Sequence, residues 1–127
     1  MTEDRLSDHF SESEFVCRCG CEKVYVNPRL ITALEAIRAR AGGRPIKITS
    51  GYRCESHNAA VGGKPNSAHL VGEAADIQAV FSEDKYRIIE AAMHVGILRV
   101  GVGRAYVHID VSRTLPQGVV WLYGSGA

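Results

Sequence analysis

Residues 67–78 read SAHLVGEAADIQ, and the way this stretch turns sets the arrangement of the rest of the chain. His69 and Asp76 stand seven positions apart with Gly72 between them. Glycine tolerates backbone angles that other residues avoid, so Gly72 predicts a tight turn after the histidine. Beyond it, EAADI reads as a short strand: Ala74 and Asp76 share one face, while Ala75 and Ile77 point to the core. Ala74 is small enough to leave room above the carboxylate. Both His69 and Asp76 are metal-ligand types, but two ligands do not make a metal site.

A third comes from AYVHIDV, residues 105–111. Alternation in a strand puts Val107, Ile109 and Val111 on an apolar face and Tyr106, His108 and Asp110 on the other. An imidazole, a carboxylate and a phenol on one face suggest that this face lines a cleft, with His108 as third ligand. Taken singly, each residue has a bland explanation, a satisfied strand histidine or a turn-capping aspartate. Two imidazoles and one carboxylate with a fourth position open form the ligand set of a catalytic zinc. The open position lets the metal bring a bound water's pKa towards neutrality and polarise a carbonyl.

Working outward, S-E-S-E at 11–14 places Glu14 as the last member of a capping box and predicts a short helix near Ser11. Asn27-Pro28 is a cap followed by a proline at the first helical position. Leu30, Leu34 and Ile37 then repeat at helical spacing up to Gly42-Gly43. PIKIT (45–49) reads as a strand and SGYR as a turn, followed by a short helix around residues 55–61 and a GGKPNS loop. Ser82 caps a helix to about His94 whose apolar stripe is Ile88, Ile89, Ala92 and Met93. ILRVGV, YVHIDV and VVWLY supply late strands. Helices first and antiparallel strands late predict an α+β fold, a small antiparallel sheet with helices packed on it, as one domain over 1–127.

The chain has 127 residues, 46% hydrophobic and 23% charged, the proportions of a globular domain with a real core. Its formal charge of +1 offers no footprint for nucleic acid. No run approaches the roughly 18 apolar residues that span a bilayer, and MTEDRLSDHF carries acidic residues where a signal peptide carries basic ones. The expectation is a monomer made in the cytoplasm, without a membrane partner. Cys17, Cys19 and Cys21 form C-R-C-G-C, and in an extended stretch their side chains point the same way. With Cys54 they admit three readings: inert thiols, disulfides or a structural zinc.

S-x-H-x-x-G-x-A-x-D is present in full as Ser67, His69, Gly72, Ala74 and Asp76. With the later strand histidine it resembles the zinc D-Ala-D-Ala peptidase family, which includes bacterial DD-carboxypeptidases, phage endopeptidases and vancomycin-resistance dipeptidases. The hedgehog signalling domain shares the metal fold. The upstream LEAIRARAGGRPIKITSGYRCESHNAAVGG looks like the family's helix, strand and S-G-Y-R turn. The resemblance implies a hedgehog/DD-peptidase-like fold and one catalytic Zn2+ on His69, Asp76 and His108. It implies that Arg53 contacts a substrate carboxylate or the developing oxyanion, since a planar guanidinium pairs with carboxylates at two points. Ser67 matches a substrate-binding serine, and Tyr106 lies on the same face as a further contact. The implied reaction is cleavage of a peptidoglycan stem peptide by carboxypeptidase or endopeptidase action, with zinc-activated water attacking the scissile carbonyl.

One departure stands out. Several family members carry a carboxylate three residues before the last ligand, and others a histidine two before it. Here those positions are Ala105 and Tyr106. Asp110 is the nearest replacement, as general base or as a partner that orients an imidazole. Glu73 and His57 are more distant candidates. In an alternative register Asp110 binds the metal and His108 takes the acid/base role. A catalytically weak zinc-containing binding module is the competing function.

Overall fold

The structure, a computed structural model, describes residues 4–124. Three α-helices and five strands follow one another as α1 (Pro28–Arg40), β1 (Ile48–Ser50), α2 (Glu55–Ala60), β2 (Ala74–Gln78), α3 (Ser82–His94), β3 (Arg99–Val102), β4 (Tyr106–Asp110) and β5 (Val119–Leu122). Two 3₁₀ turns, Glu12–Phe15 and Ala68–Val71, precede α1 and β2. The fold class is α+β.

The five strands form one sheet in the order β1-β2-β4-β3-β5. The first four pair antiparallel, whereas β5 runs parallel to β3. The chain reverses after β4, so β5 is antiparallel to β4 and therefore parallel to β3, whose free edge it joins. The backbone N–H groups of Gly118 and Val119 both donate to the Leu98 carbonyl at 2.8 and 3.0 Å, which starts that pairing. The sheet is thus mixed at one edge rather than antiparallel throughout.

The core lies on one face. Ile48, Ala75, Ile77, Val100, Val107 and Ile109 meet Leu30, Ile31, Leu34 and Ile37 of α1 and Ile88, Ala91 and Ala92 of α3. Leu34 is fully buried, so Leu34→Ala costs about 2–5 kcal/mol through lost contact and residual cavity. The Asn27 side chain accepts from the Arg29 N–H at 2.8 Å and caps α1, as the Asn-Pro pair predicts. No helix among the described residues is long and apolar enough to cross a membrane.

Several local expectations shift. The predicted helix near Ser11 is a single 3₁₀ turn, although the Glu14 carboxylate does accept from the Ser11 N–H at 2.8 Å. The PIKIT strand is shorter and later, Ile48–Ser50, because β1 is an edge strand with a register shift against β2. Phe81, not Ser82, occupies the cap position of α3. Met93 is exposed and Ala91 takes its place in the buried stripe, because α3 presents the 88, 91, 92 row to the sheet. Residues 18–21 form turns rather than an extended segment.

Candidate functional site

The uncovered face of β2 and β4 carries the site. In the β2–β4 register Asp76 lies opposite His108 and Ala74 opposite Asp110. Period-2 alternation sends Val107 and Ile109 into the core, which leaves His108 and Asp110 on the far side with Asp76. His69 arrives from the 3₁₀ turn before β2. The Ser67 hydroxyl oxygen accepts the His69 backbone N–H at 3.2 Å and caps that turn. Gly72 then reverses the chain with φ +71°, a left-handed conformation that favours glycine. A Cβ at Gly72 would also collide with the Tyr25 carbonyl.

His69, Asp76 and His108 are brought together, each offering one donor atom within 4.8 Å of the others. His69 Nε2 lies 3.3 Å and His108 Nδ1 3.0 Å from Asp76 Oδ1. The outer ring nitrogens are engaged elsewhere. His69 Nδ1–H donates to the Gly51 carbonyl at 2.6 Å, and His108 Nε2–H donates to Asp110 Oδ2 at 2.7 Å. With those tautomers both inner nitrogens present lone pairs to a carboxylate oxygen. Three acceptors converging in a buried pocket make a site that could hold a cation between them. Two imidazoles and a carboxylate, oriented by a carbonyl and a second carboxylate, suit zinc and its usual outer partners.

The electrostatics agree with such a site. Burial opposes ionisation of Asp76, but its close contacts with His108 and His69 outweigh that and hold its carboxyl far below the usual range. Burial pushes the His69 imidazole down, keeping it neutral as a ligand must be. Burial also acts against charge on His108, but Asp110 and Asp76 outweigh it and raise its affinity for a proton. A proton and a metal ion thus compete for the same lone pair.

Asp110 does not join the convergent set. Its carboxylate is buried between His108 and Arg99, whose Nε donates to Asp110 Oδ1 at 2.8 Å. Arg53 does reach the site. Its guanidinium is 3.4 Å from Asp76 Oδ2 and is steadied by Ser50 Oγ at 3.3 Å and Asn58 Oδ1 at 3.2 Å. The Arg53 backbone N–H donates to the His69 carbonyl at 3.1 Å, tying the S-G-Y-R turn to the histidine. Glu73 is paired with Arg29 at 3.1 Å, and neither it nor His57 lines the cleft.

His69 and His108 line a cleft of about 360 Å³, and Asp76 lies behind them, within hydrogen-bond distance of both rings. Arg53, Lys64, Ser67, Leu115, Trp121 and Tyr123 also line the cleft. The aromatic wall depends on Gly101, which pairs with Trp121 across β3 and β5. A Cβ at Gly101 would stand 2.6 Å from the indole nitrogen and 2.8 Å from the Tyr123 ring. Tyr106 is set back from the cleft with its ring 5.3 Å from that of Tyr123. Burial pushes the Tyr123 phenol up to about 12, so it stays a neutral hydrogen-bond donor. Sequence reasoning did not single out Asn58, Arg99, Trp121 or Tyr123. Alternation in VVWLY was the available signal, since Val119, Trp121 and Tyr123 share the face that meets the cleft.

A family model described as peptidase M15 matches residues 8–112 of the chain. A relative from Streptomyces albus G, named as a zinc D-Ala-D-Ala carboxypeptidase, is 44% identical over 46 residues, which is 36% of this chain. The aligned part spans only 18% of that relative's length. The family match takes in both strands and the turn that together carry His69, Asp76 and His108, and it extends over well more than half of the 127 residues. The chain belongs to the peptidase M15 family.

Proposed function

We propose that the chain is a zinc-dependent peptidase that cleaves a peptide bond next to a D-amino acid in peptidoglycan stems, with His69, Asp76 and His108 as the metal ligands. One observation carries this reading: three acceptor atoms converge beside an open cleft while the outer nitrogens of both histidines are already committed. The relative named for zinc and D-Ala-D-Ala supports the substrate class.

When bound, zinc would supply a Lewis acid for the scissile carbonyl and a means of deprotonating water near neutral pH. The remaining work falls to the side chains. Arg53, held by Ser50, Asn58 and Asp76, presents positive charge where negative charge develops on the carbonyl oxygen. The Ser67 hydroxyl oxygen is occupied by its cap, which leaves its proton free to donate to a substrate carbonyl. Tyr123 donates from its neutral phenol, Trp121 and Leu115 form the apolar wall, and Tyr106 braces Tyr123 from behind. Asp110 is a positioning residue: it fixes the His108 tautomer and is itself neutralised by Arg99. That geometry disfavours Asp110 as a general base.

A second reading, a zinc-containing binding module, is favoured by one specific observation. Among the described residues, the cleft is lined by no carboxylate other than the paired Asp110 and by no imidazole other than the two ligands. Incubating the zinc-loaded chain with purified muropeptides and following products by mass spectrometry separates the two. Loss of a terminal D-alanine identifies a carboxypeptidase, and internal cleavage an endopeptidase. Full zinc occupancy with intact substrate would overturn the peptidase reading and leave the binding module.

A further inference from the structure

The described residues hold a second convergent set of donors, outside the cleft. We propose that Cys17, Cys19, Cys21 and Cys54 bind one zinc ion that fastens the N-terminal loop to the segment carrying Arg53. The proposal does not rest on the peptidase activity and extends beyond it.

The sulfur geometry points to a metal centre. All four Sγ atoms lie within 4.8 Å of one another. Cys17 and Cys19 are 3.5 Å apart, and each is 3.7 Å from Cys54. A tetrahedral zinc with Zn–S bonds of about 2.3 Å has sulfur–sulfur edges of about 3.8 Å. The three measured edges match that figure and are nearly equal. Disulfides would pair the sulfurs into short and long separations, and here none is bonded. Four thiolates around a space this small select a soft, tetrahedral, mononuclear ion.

The backbone is bent to bring the thiols in. Residues 18–21 form turns, and the Cys17 N–H donates to the Lys23 carbonyl at 2.9 Å to close the loop. Gly20 has φ +93°, and Glu22, with φ +65°, is the one non-glycine residue at positive φ among the described residues. Such strain persists where something holds it in place. The Cys54 N–H donates to Cys17 Sγ at 3.4 Å, tying the two segments together at the sulfurs. Each thiol gives up its proton on binding, so four sulfurs and one Zn2+ form a dianionic centre with release of four protons.

The location explains what such a centre does. Cys17 and Cys54 are 37 positions apart, so the ion closes a long loop in a small domain. The joined segments already run side by side: the Tyr52 N–H donates to the Phe15 carbonyl at 2.9 Å. A Cβ on Gly51 would stand 2.7 Å from Phe15 Cα. Gly51 supplies the carbonyl that orients His69, and Arg53 precedes Cys54 directly. The thiolate centre therefore braces two groups of the cleft without facing it.

The test is metal counting on the reduced full chain after loading with zinc, by plasma mass spectrometry. The expectation is two zinc ions per chain, one in the His69→Ala/His108→Ala double variant and one in Cys19→Ser/Cys21→Ser. The last pair is exposed, so its replacement leaves the core intact. Cobalt(II) loading of the histidine double variant gives a second readout: a sulfur-to-cobalt charge-transfer band is expected there and absent when Cys19 and Cys21 are also replaced. One zinc in the parent with no change in the cysteine variant would overturn the proposal, as would cobalt without that band, or disulfides in the purified chain by intact mass. Failure of the muropeptide assay would leave the two-zinc count standing, and a missing second zinc would leave that assay untouched.

Discussion

The His69–Asp76–His108 cluster and the four-cysteine cluster each hold their donor atoms within 4.8 Å, yet they are built in opposite ways. The first is set into the sheet: all three residues are buried, and two sit opposite each other on hydrogen-bonded strands. Each histidine has an outer partner that fixes its ring. The second is set in turns, with Cys19 and Cys21 exposed and two positive-φ residues bending the loop around them. Three donors beside a cleft leave a coordination position for substrate or water, whereas four sulfurs fill a tetrahedron. A rigid sheet is the right support for chemistry that needs positions fixed to fractions of an ångström. A loop staple needs only enough softness for its own ends to meet.

The strongest way to break this contrast is to remove one donor from the sheet cluster. His108→Ala should abolish zinc binding there, with loss of at least 10³-fold in any peptide cleavage, an effect of about 4 kcal/mol or more, measured by metal content and turnover. The thiolate zinc should remain. Gly101→Val comes next. Its branched side chain would displace Trp121 and Tyr123, so substrate affinity should fall by roughly 10-fold or more while zinc content stays unchanged, read by KM and metal analysis.

Asp110→Asn sharpens the contrast more finely. If the carboxylate positions His108, zinc affinity should fall about 10–100-fold and excess zinc should restore much of the activity. A general base would instead leave affinity intact and remove the acidic limb of the pH–rate profile. Acidification should also empty the sheet cluster. His108 has a raised pKa and binds a proton as pH falls through it, so zinc affinity should drop on that side, as chelator competition across pH will show.

The smallest effect involves neither centre. Ser7 and His9 hydrogen-bond the Glu35 carboxylate, His9 through Nδ1 at 2.7 Å. Burial raises its pKa, but these bonds outweigh that and set it below the ordinary 4.5. A depressed pKa gives stability that is complete above the unfolded value and is lost as pH falls through the folded one. Glu35→Gln should cost about 1 kcal/mol or less at pH 7 and nothing in strong acid, by denaturant titration at both pH values.

The sheet cluster was largely legible before any coordinates because strand alternation fixes faces. HIDV and AADI can place His108 and Asp76 on one side only once the apolar residues go to the core. Gly72 announced the turn that returns His69. What alternation does not carry is direction across the sheet. It put Tyr106 on the right face but not at the cleft, and it left open whether Asp110 faces inward or onto His108 Nε2. Nor does it show how β5 joins the sheet, and the aromatic wall depends on that parallel pairing. The cysteine cluster was harder still. C-R-C-G-C has three ready interpretations, and the turns at Gly20 and Glu22 that gather the thiols have no periodic signature.

The most direct test is an anomalous difference map from a crystal of the zinc-loaded chain, recorded at the zinc absorption edge. Two peaks per chain are expected, one bounded by His69 Nε2, Asp76 and His108 Nδ1 with room for a non-protein ligand, the other enclosed by four sulfurs. A sheet cluster without a peak, or a zinc there bound by Asp110 in place of His108, would contradict that.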